Sequence, residues 1–342
     1  MRLLIPVFFL AAATAIGAGQ PAADKKPPPA PATDELYDLG KSLFDRYATP
    51  EVKERFEFPS PERWDEFAGR LQHALESENL EELAAYEPEA RAALAALRVL
   101  PGYEDYADWL ATRIDYIEAA KQAPRFVAPV LPKNPLTPPS PALTIPYYDL
   151  WLERIRGRPL PARAEELMPI LRAAFVAEGV PPELAWLAEV ESTLDPSARS
   201  PSGAKGLFQL MPETARNLGL STFLPDDRAN AEKSARAAAH YLRTLHDKFG
   251  EWPLALAAYN AGEGRVGRLL KSRSARNFAD ISAALPSETR MYVPKVCATI
   301  AVRTGVTPQQ IPSPRSVAVV WKRFIPDFLT TDYTDDTDQS SI

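Results

Sequence analysis

Glu191 places an acid where a solvated carboxylate has no reason to be. In the stretch PPELAWLAEVES, Leu184, Leu187, Ala188 and Glu191 recur at spacings of three and four, so a helix opened by Pro181 and Pro182 carries all four on one stripe. The stripe faces the core, and Glu191 lies near the C-terminal end of the helix. Apolar surroundings and the negative end of the helix dipole both disfavour a charged carboxylate, so both raise its pKa. A carboxyl group that keeps its proton at neutral pH is what general acid catalysis requires. The pattern alone leaves two readings: a general acid, or a glutamate that turns to the surface and pairs with a base such as Arg199. The residues that follow suit an extended polar ligand. A loop of small residues, SARSPSGAKG, leaves room for it, and Gln209 offers an amide among Leu207, Phe208, Leu210 and Met211.

Other patterns carry less. Asp195 lies four residues beyond Glu191, but its place before Pro196 marks a helix-ending turn. The run GEGRVG, Gly262 to Gly267, has the spacing of a dinucleotide fingerprint, yet it follows the helical LALAAYNA where that fingerprint needs a strand. His73, His240 and His246 have no ligand spacing, since a separation of six puts the last two on different helix faces. Cys297 is the only cysteine, which excludes an internal disulfide and a cysteine-based metal site. No G-x-S-x-G nucleophile motif is present. Neither a metal nor a cofactor is expected.

The elements that must position these residues read as helices throughout. At 342 residues the chain has room for roughly two domains. Hydrophobic residues at 46% and charged residues at 25% support a substantial core, while 35 Pro against 15 Gly imply stiff connectors. A net charge of −6 with no long basic run argues against nucleic acid as a partner. Residues 1–19 combine Arg2, an apolar run from Leu3 to Leu10 and small residues through Gly19, the layout of a secretory signal with cleavage expected near Ala18. The run is short for a membrane-spanning helix, though if retained it would act as an anchor. A proline-rich linker at 20–34 leads to a helical segment, 35–122, with apolar stripes at Trp64, Phe67, Leu71 and Leu75 and at Tyr103, Tyr106, Leu110, Ile114 and Ile117. A second proline-rich linker, 123–146, precedes residues 147–312, where successive helical patterns end in Gly179, Gly250, Gly262 and Gly305. Residues 313–342 form a tail whose acidic, polar end reads as disordered. The expected class is mostly α.

Four motifs then act together. Glu191-Ser192 with Ser200 nine residues on, GAKGLFQLMP, AYNAGEGRV and ETRMYVPK resemble, in order and spacing, the catalytic domain of soluble lytic transglycosylases, relatives of goose-type lysozyme. Asp195-Pro196 and Phe208 bring the likeness nearest to the membrane-bound lytic murein transglycosylase D branch. The resemblance covers roughly 147–311 and implies a lysozyme-like catalytic domain preceded by a separate helical segment.

Roles follow from the resemblance residue by residue. It implies Glu191 as the catalytic acid/base, with Ser192, Ser200, Gly206, Gln209, Met211, Tyr259, Asn260 and Tyr292 contacting the glycan. Tyr259 is the tyrosine whose hydroxyl is expected to approach the catalytic carboxylate. The implied partner is the peptidoglycan glycan strand, cut at the MurNAc-GlcNAc β-1,4 bond without water to leave 1,6-anhydro-MurNAc ends. That chemistry needs one carboxylic acid, where ordinary glycosidases flank the bond with two. The implied location is the periplasm or cell envelope. A muramidase that uses water shares the same pattern; a non-catalytic glycan-binding scaffold would have lost the acid. For residues 35–122 three roles stand: binding an envelope protein partner, bracing the catalytic domain, or blocking it.

Overall fold

Capping residues set most helix boundaries in the computed structural model, which describes residue 46 and residues 61–98, 104–126, 144–200 and 202–314. The expected signal at 1–19, the linker at 20–34, most of the second linker and the tail beyond 314 lie outside the described residues, as do Tyr103 and the side chain of Trp64.

The N-terminal part holds α1 (Pro61–Glu76), α2 (Leu80–Ala85), α3 (Glu87–Leu97) and α4 (Glu104–Gln122). Asn79 caps α2 by accepting from the Glu81 and Glu82 amides at 3.0 and 3.2 Å. Phe67, Leu71 and Leu75 are buried as the spacing predicts. On α4 the inward face is Ala107, Leu110, Ile114 and Ile117, whereas Tyr106 is 39% exposed. The expected stripe therefore starts at Ala107: a phenol tip tolerates water, and the small Ala107 lets α4 pack closely.

Nine more helices follow among the described residues: α5 (Tyr148–Arg156), α6 (Ala164–Ala177), α7 (Leu187–Ser192), α8 (Pro212–Asn217), α9 (Ala231–Phe249), α10 (Trp252–Ala261), α11 (Glu263–Arg273), α12 (Phe278–Ser282) and α13 (Ser287–Thr304). Gly179, Gly250 and Gly305 follow the ends of α6, α9 and α13 with positive φ, the conformation that lets the chain turn away from a helix. Residues expected to form one helix from Pro181 divide in two: Pro182–Trp186 is a 3₁₀ turn and α7 begins at Leu187. Prolines at 181 and 182 remove two amide donors, and the first bond made, Leu184 N–H to Pro181 O at 3.1 Å, has 3₁₀ spacing. GEGRVG continues as α11 directly after α10, so no dinucleotide loop forms. The described residues hold no strand, only isolated bridges from Lys205 to Arg199 and Leu210.

α13 is the axis on which the site is hung. Every residue from Met291 to Ile300 is buried, and α5, α7, α10, α1 and α4 all pack on it. The N-terminal helices are fastened to it by polar as well as apolar contacts. Asp115 on α4 lies 2.8 Å from Lys295 Nζ, 2.7 Å from Arg154 and 2.6 Å from Arg158, while Ser287 donates through both backbone N–H and hydroxyl to Ser77 O at 2.7 Å. One apolar cluster runs from Phe67 to Ile311 through both parts of the chain.

Candidate active site

Glu191 ends up half-buried at the end of a six-residue helix held on both sides. Glu189, two residues earlier, takes a bidentate pair from Arg303 on α13 at 2.7 and 2.8 Å. Behind the acid, Thr193 and Leu194 both adopt left-handed φ, 54° and 60°. Such a conformation costs roughly 1–2 kcal/mol for each L-residue, and complete burial of Leu194 offsets it. The strain turns the chain sharply, so that Glu191 is the last acid on the helix face before the loop.

Tyr292, on α13, donates its hydroxyl to Glu191 Oε1 at 2.5 Å. Burial pushes the Glu191 carboxyl up and the Glu288 charge adds to that, while the Tyr292 hydroxyl, Arg113 and Lys295 pull it down; the balance stands at about 7. Burial is the main cause. The helix dipole invoked from sequence has little to act through in a helix this short. Arg199 is not the partner of Glu191; Tyr292 is. Burial and the Glu191 charge also hold the Tyr292 and Tyr259 hydroxyls well above the ordinary tyrosine value, so both remain donors.

The loop that follows is built from the inside. The Ser192 hydroxyl lies 3.0 Å from both the Ala188 and Leu207 carbonyls and so ties the end of α7 to the far side of the loop. The Gln209 side-chain nitrogen donates to Ala198 O at 3.2 Å and Gly206 O at 2.9 Å. Both acceptors are carbonyls, which fixes that end of the amide as the nitrogen and leaves the oxygen for a ligand. Gln209 itself has φ +45°. Ser200 opens a tight turn, accepting from Ala204 N at 3.0 Å and lying 2.9 Å from the Ser202 hydroxyl.

Gly206 has a structural role within the loop. It is buried with φ +81°, and a Cβ there would lie 1.9 Å from the Arg228 carbonyl oxygen. The close approach that requires glycine at this position is to the protein's own backbone.

Arg228 and Asp226 were not legible as site residues, and they hold this loop in place. Arg228 is 7% exposed; its guanidinium donates to Gly203 O at 2.9 Å and Leu210 O at 3.1 Å and forks onto Asp226 at 2.9 and 3.0 Å. Lys205 completes the clamp, 3.1 Å from Asp226. Three charges and two carbonyl dipoles are thereby satisfied within the loop, which fixes it without a disulfide.

The remaining expected residues fall into place unequally. Met211 is 41% exposed at the start of α8, open to a ligand. The Tyr259 hydroxyl, expected to approach the carboxylate, donates its hydrogen bond to Phe208 O at 2.7 Å and so braces the loop, while Tyr292 bonds the carboxylate. Asn260 Oδ1 accepts from Thr289 at 2.6 Å and links α10 to α13. Asp195 is an anion held in a turn. Burial raises its carboxyl, but Ser197 and Arg163, at 2.7–3.0 Å, outweigh that and keep it below the ordinary carboxylate range. The proton affinities of two acids four residues apart are therefore shifted in opposite directions. Glu288, also near Glu191, is paired with Arg113 at 3.1 Å. His246 is buried against Trp252, with ring centroids 4.2 Å apart. Among the described residues no group of His, Cys, Asp and Glu has the arrangement of a metal site.

This geometry coincides with a known family segment. Residues 169–282 match the family described as "Transglycosylase SLT domain". Membrane-bound lytic murein transglycosylase D of Escherichia coli K12 is 41% identical over 140 residues, 40% of this chain and 31% of that protein. Membrane-bound lytic murein transglycosylase F of Alcanivorax borkumensis is 42% identical over 116 residues, 30% of this chain and 24% of that protein. The soluble lytic murein transglycosylase of Salmonella typhimurium is 37% identical over 120 residues, 33% of this chain and 19% of that protein. The chain thus spans a third or less of the length of these relatives. Among solved structures, the 70 kDa soluble lytic transglycosylase of Escherichia coli aligns over 82% of this chain and 48% of that one, at 20% identity and a TM-score of 0.39. Through residues 169–282, which hold Glu191, the braced loop and the Tyr259–Asn260 pair, the chain carries a Transglycosylase SLT domain homologous to that of membrane-bound lytic murein transglycosylase D.

Proposed function

We propose that the protein is a peptidoglycan lytic transglycosylase with Glu191 as its single acid/base. The observation that carries the reading is the state of that carboxyl: raised to about 7 and held by a neutral tyrosine, while Asp195 is tied into its turn as an anion. At neutral pH a large share of Glu191 is protonated. It gives that proton to the glycosidic oxygen as the C1–O bond of MurNAc breaks, and GlcNAc leaves with a free C4 hydroxyl. The new carboxylate, still bound to the Tyr292 hydroxyl, then takes the proton of the same sugar's C6 hydroxyl. O6 bonds to C1, and Glu191 is protonated again. No water enters, and no second carboxylate is consumed.

The groove offers the glycan the Gln209 amide oxygen, the exposed Met211 side chain and the small-residue turn at Ser200. Gly206, Ser192, Tyr259 and Asn260 hold that surface from below. Residues 35–122 act as a brace where they are described, since α4 is fastened to α13 beside the acid. The signal-like residues 1–19 support export, with the periplasm or cell envelope as the site of action. Among the described residues no helix is long and apolar enough to cross a membrane.

Mass spectrometry of muropeptides released from purified sacculi tests the reading. Anhydro-MurNAc ends are the expected product. Free reducing ends, one water heavier, would make the protein a hydrolytic muramidase, and no release by a folded protein would leave a glycan-binding scaffold.

A further inference from the structure

The face of α13 that holds Glu191 is paired with α4, a helix from outside the family-matched segment. On α4, Trp109, Arg113 and Tyr116 recur at spacings of four and three; on α13, Glu288, Tyr292 and Lys295 do the same. The stripes meet side by side. Arg113 Nη2 lies 3.1 Å from Glu288 Oε1, Lys295 Nζ lies 4.6 Å from the Tyr116 ring centroid, and Tyr292, midway along its stripe, holds Glu191. The Arg113–Glu288 pair joins residues 175 apart in sequence and is largely buried, with side chains 22% and 19% exposed. Arg113 also packs on the Trp109 ring at 4.9 Å, and its Nε is buried without an acceptor among the described residues.

We propose that α4 is part of the active site, and that Arg113, fixed by Glu288, is a positioning residue whose charge acts on Glu191 through both proton transfers. The proposal rests on Glu191 being the acid/base. Tyr292 touches Glu191, and the groups coupled to it through charge are Arg113 and Tyr116 from α4, Glu288 and Lys295 from α13, and Tyr259 from α10. The tyrosines stay neutral, and the Lys295 charge is taken up by Asp115 at 2.8 Å. That leaves Arg113 and Glu288 as the pair whose balance can be tipped. Removing the cation leaves an anion beside Glu191 and favours its protonated form. Removing the anion leaves a cation and favours the carboxylate. Structural damage has no reason to produce opposite signs.

The experiment compares the full chain with Arg113→Met, Glu288→Gln and the double variant. The Glu191 carboxyl is titrated by ¹³C NMR, its signal assigned by loss in Glu191→Gln, and kcat/KM on sacculi is followed against pH. Arg113→Met should move the Glu191 titration and the alkaline limb of kcat/KM up by about one pH unit, Glu288→Gln should move both down by a similar amount, and the double variant should return near wild type. Titrations that stay in place in folded single variants, or that move the same way in both, overturn the proposal. Should Arg113→Met fail to fold, the downward shift in Glu288→Gln decides. The NMR titration reports on Arg113 whether or not sugar is released, whereas turnover retained by Glu191→Gln would sink the assignment of Glu191 itself.

Discussion

Replacing Glu191 with glutamine should make the protein more stable in alkali and leave it nearly unchanged in acid. The Glu191 carboxyl is raised from 4.5 to about 7 in the folded chain. Between those values the folded protein holds a proton that the unfolded chain has released. Stability therefore falls as pH rises through that window, and is flat on either side of it. A tenfold step in proton affinity corresponds to about 1.4 kcal/mol, so a gap of about 2.5 on the pH scale sets an upper bound of about 3.5 kcal/mol. Glu191 is partly accessible, and solvent screening lowers the expected figure to about 1–2 kcal/mol. The substituted amide cannot ionise, yet it can still accept the Tyr292 hydroxyl bond.

The assay is urea unfolding of both proteins at about pH 4.5 and about pH 8.5, read as the change in the wild-type-to-variant difference between the two conditions. All other titrating groups cancel in that difference, and so does any fixed gain or loss from the amide. The Glu191→Gln variant should gain about 1–2 kcal/mol more at the higher pH. A difference that stays constant within about 0.5 kcal/mol would refute the claim that the site desolvates this carboxyl. In the same pair of proteins turnover should fall by at least about 10²-fold, the lower range of what general acid–base catalysis contributes. A gain in stability joined to a loss of activity marks a group kept for its chemistry.

Three further outcomes follow from the same geometry. Asp195→Asn should keep more than about a tenth of wild-type turnover, against the 10²-fold loss at Glu191; an equal loss in a protein with native circular dichroism would favour a two-carboxylate hydrolase. Gly206→Ala puts a Cβ 1.9 Å from Arg228 O at a φ of +81°, so it should cost more than about 2 kcal/mol in denaturant unfolding and displace the loop; a variant as stable as wild type would mean the loop and Arg228 are not in contact. Asp115→Asn leaves Lys295, whose side chain is 7% exposed, without its counter-charge, and should destabilise by roughly 3–5 kcal/mol, with a loss below about 1 kcal/mol showing that α4 is not docked there.

The sequence made local features legible and hid those made by distant residues. Glycine stops at Gly250 and Gly305 could be read because capping needs only the helix and its next residue. The inward acid could be read because a three-four spacing is local too. The 3₁₀ turn at Pro182–Trp186 escaped that spacing, since periodicity over five residues does not separate it from an α-turn. What surrounds the acid could not be read at all from spacing. Its hydroxyl donor, Tyr292, stands 101 residues away, and of two tyrosines in matching motifs the structure gives the carboxylate to one and a loop carbonyl to the other. The Arg228 clamp spans up to 25 residues and looks in sequence like any polar turn, DDRAN.

This division has a physical cause that bears on how such a site works. An apolar stripe only disfavours a carboxylate; by itself it would raise the proton affinity of Glu191 at the expense of the second step of the proposed mechanism, which needs the charged form. The restraint comes from Tyr292, Arg113 and Lys295, each of which favours the carboxylate, with Glu288 set against them. A residue that must give a proton in one step and take one in the next works best when neither state is far from the other in free energy. Burial from the local sequence supplies one side of that balance. Charges and a hydroxyl delivered by α4 and α13 supply the other, so on the proposed mechanism residues outside the 169–282 segment take part in the chemistry of Glu191.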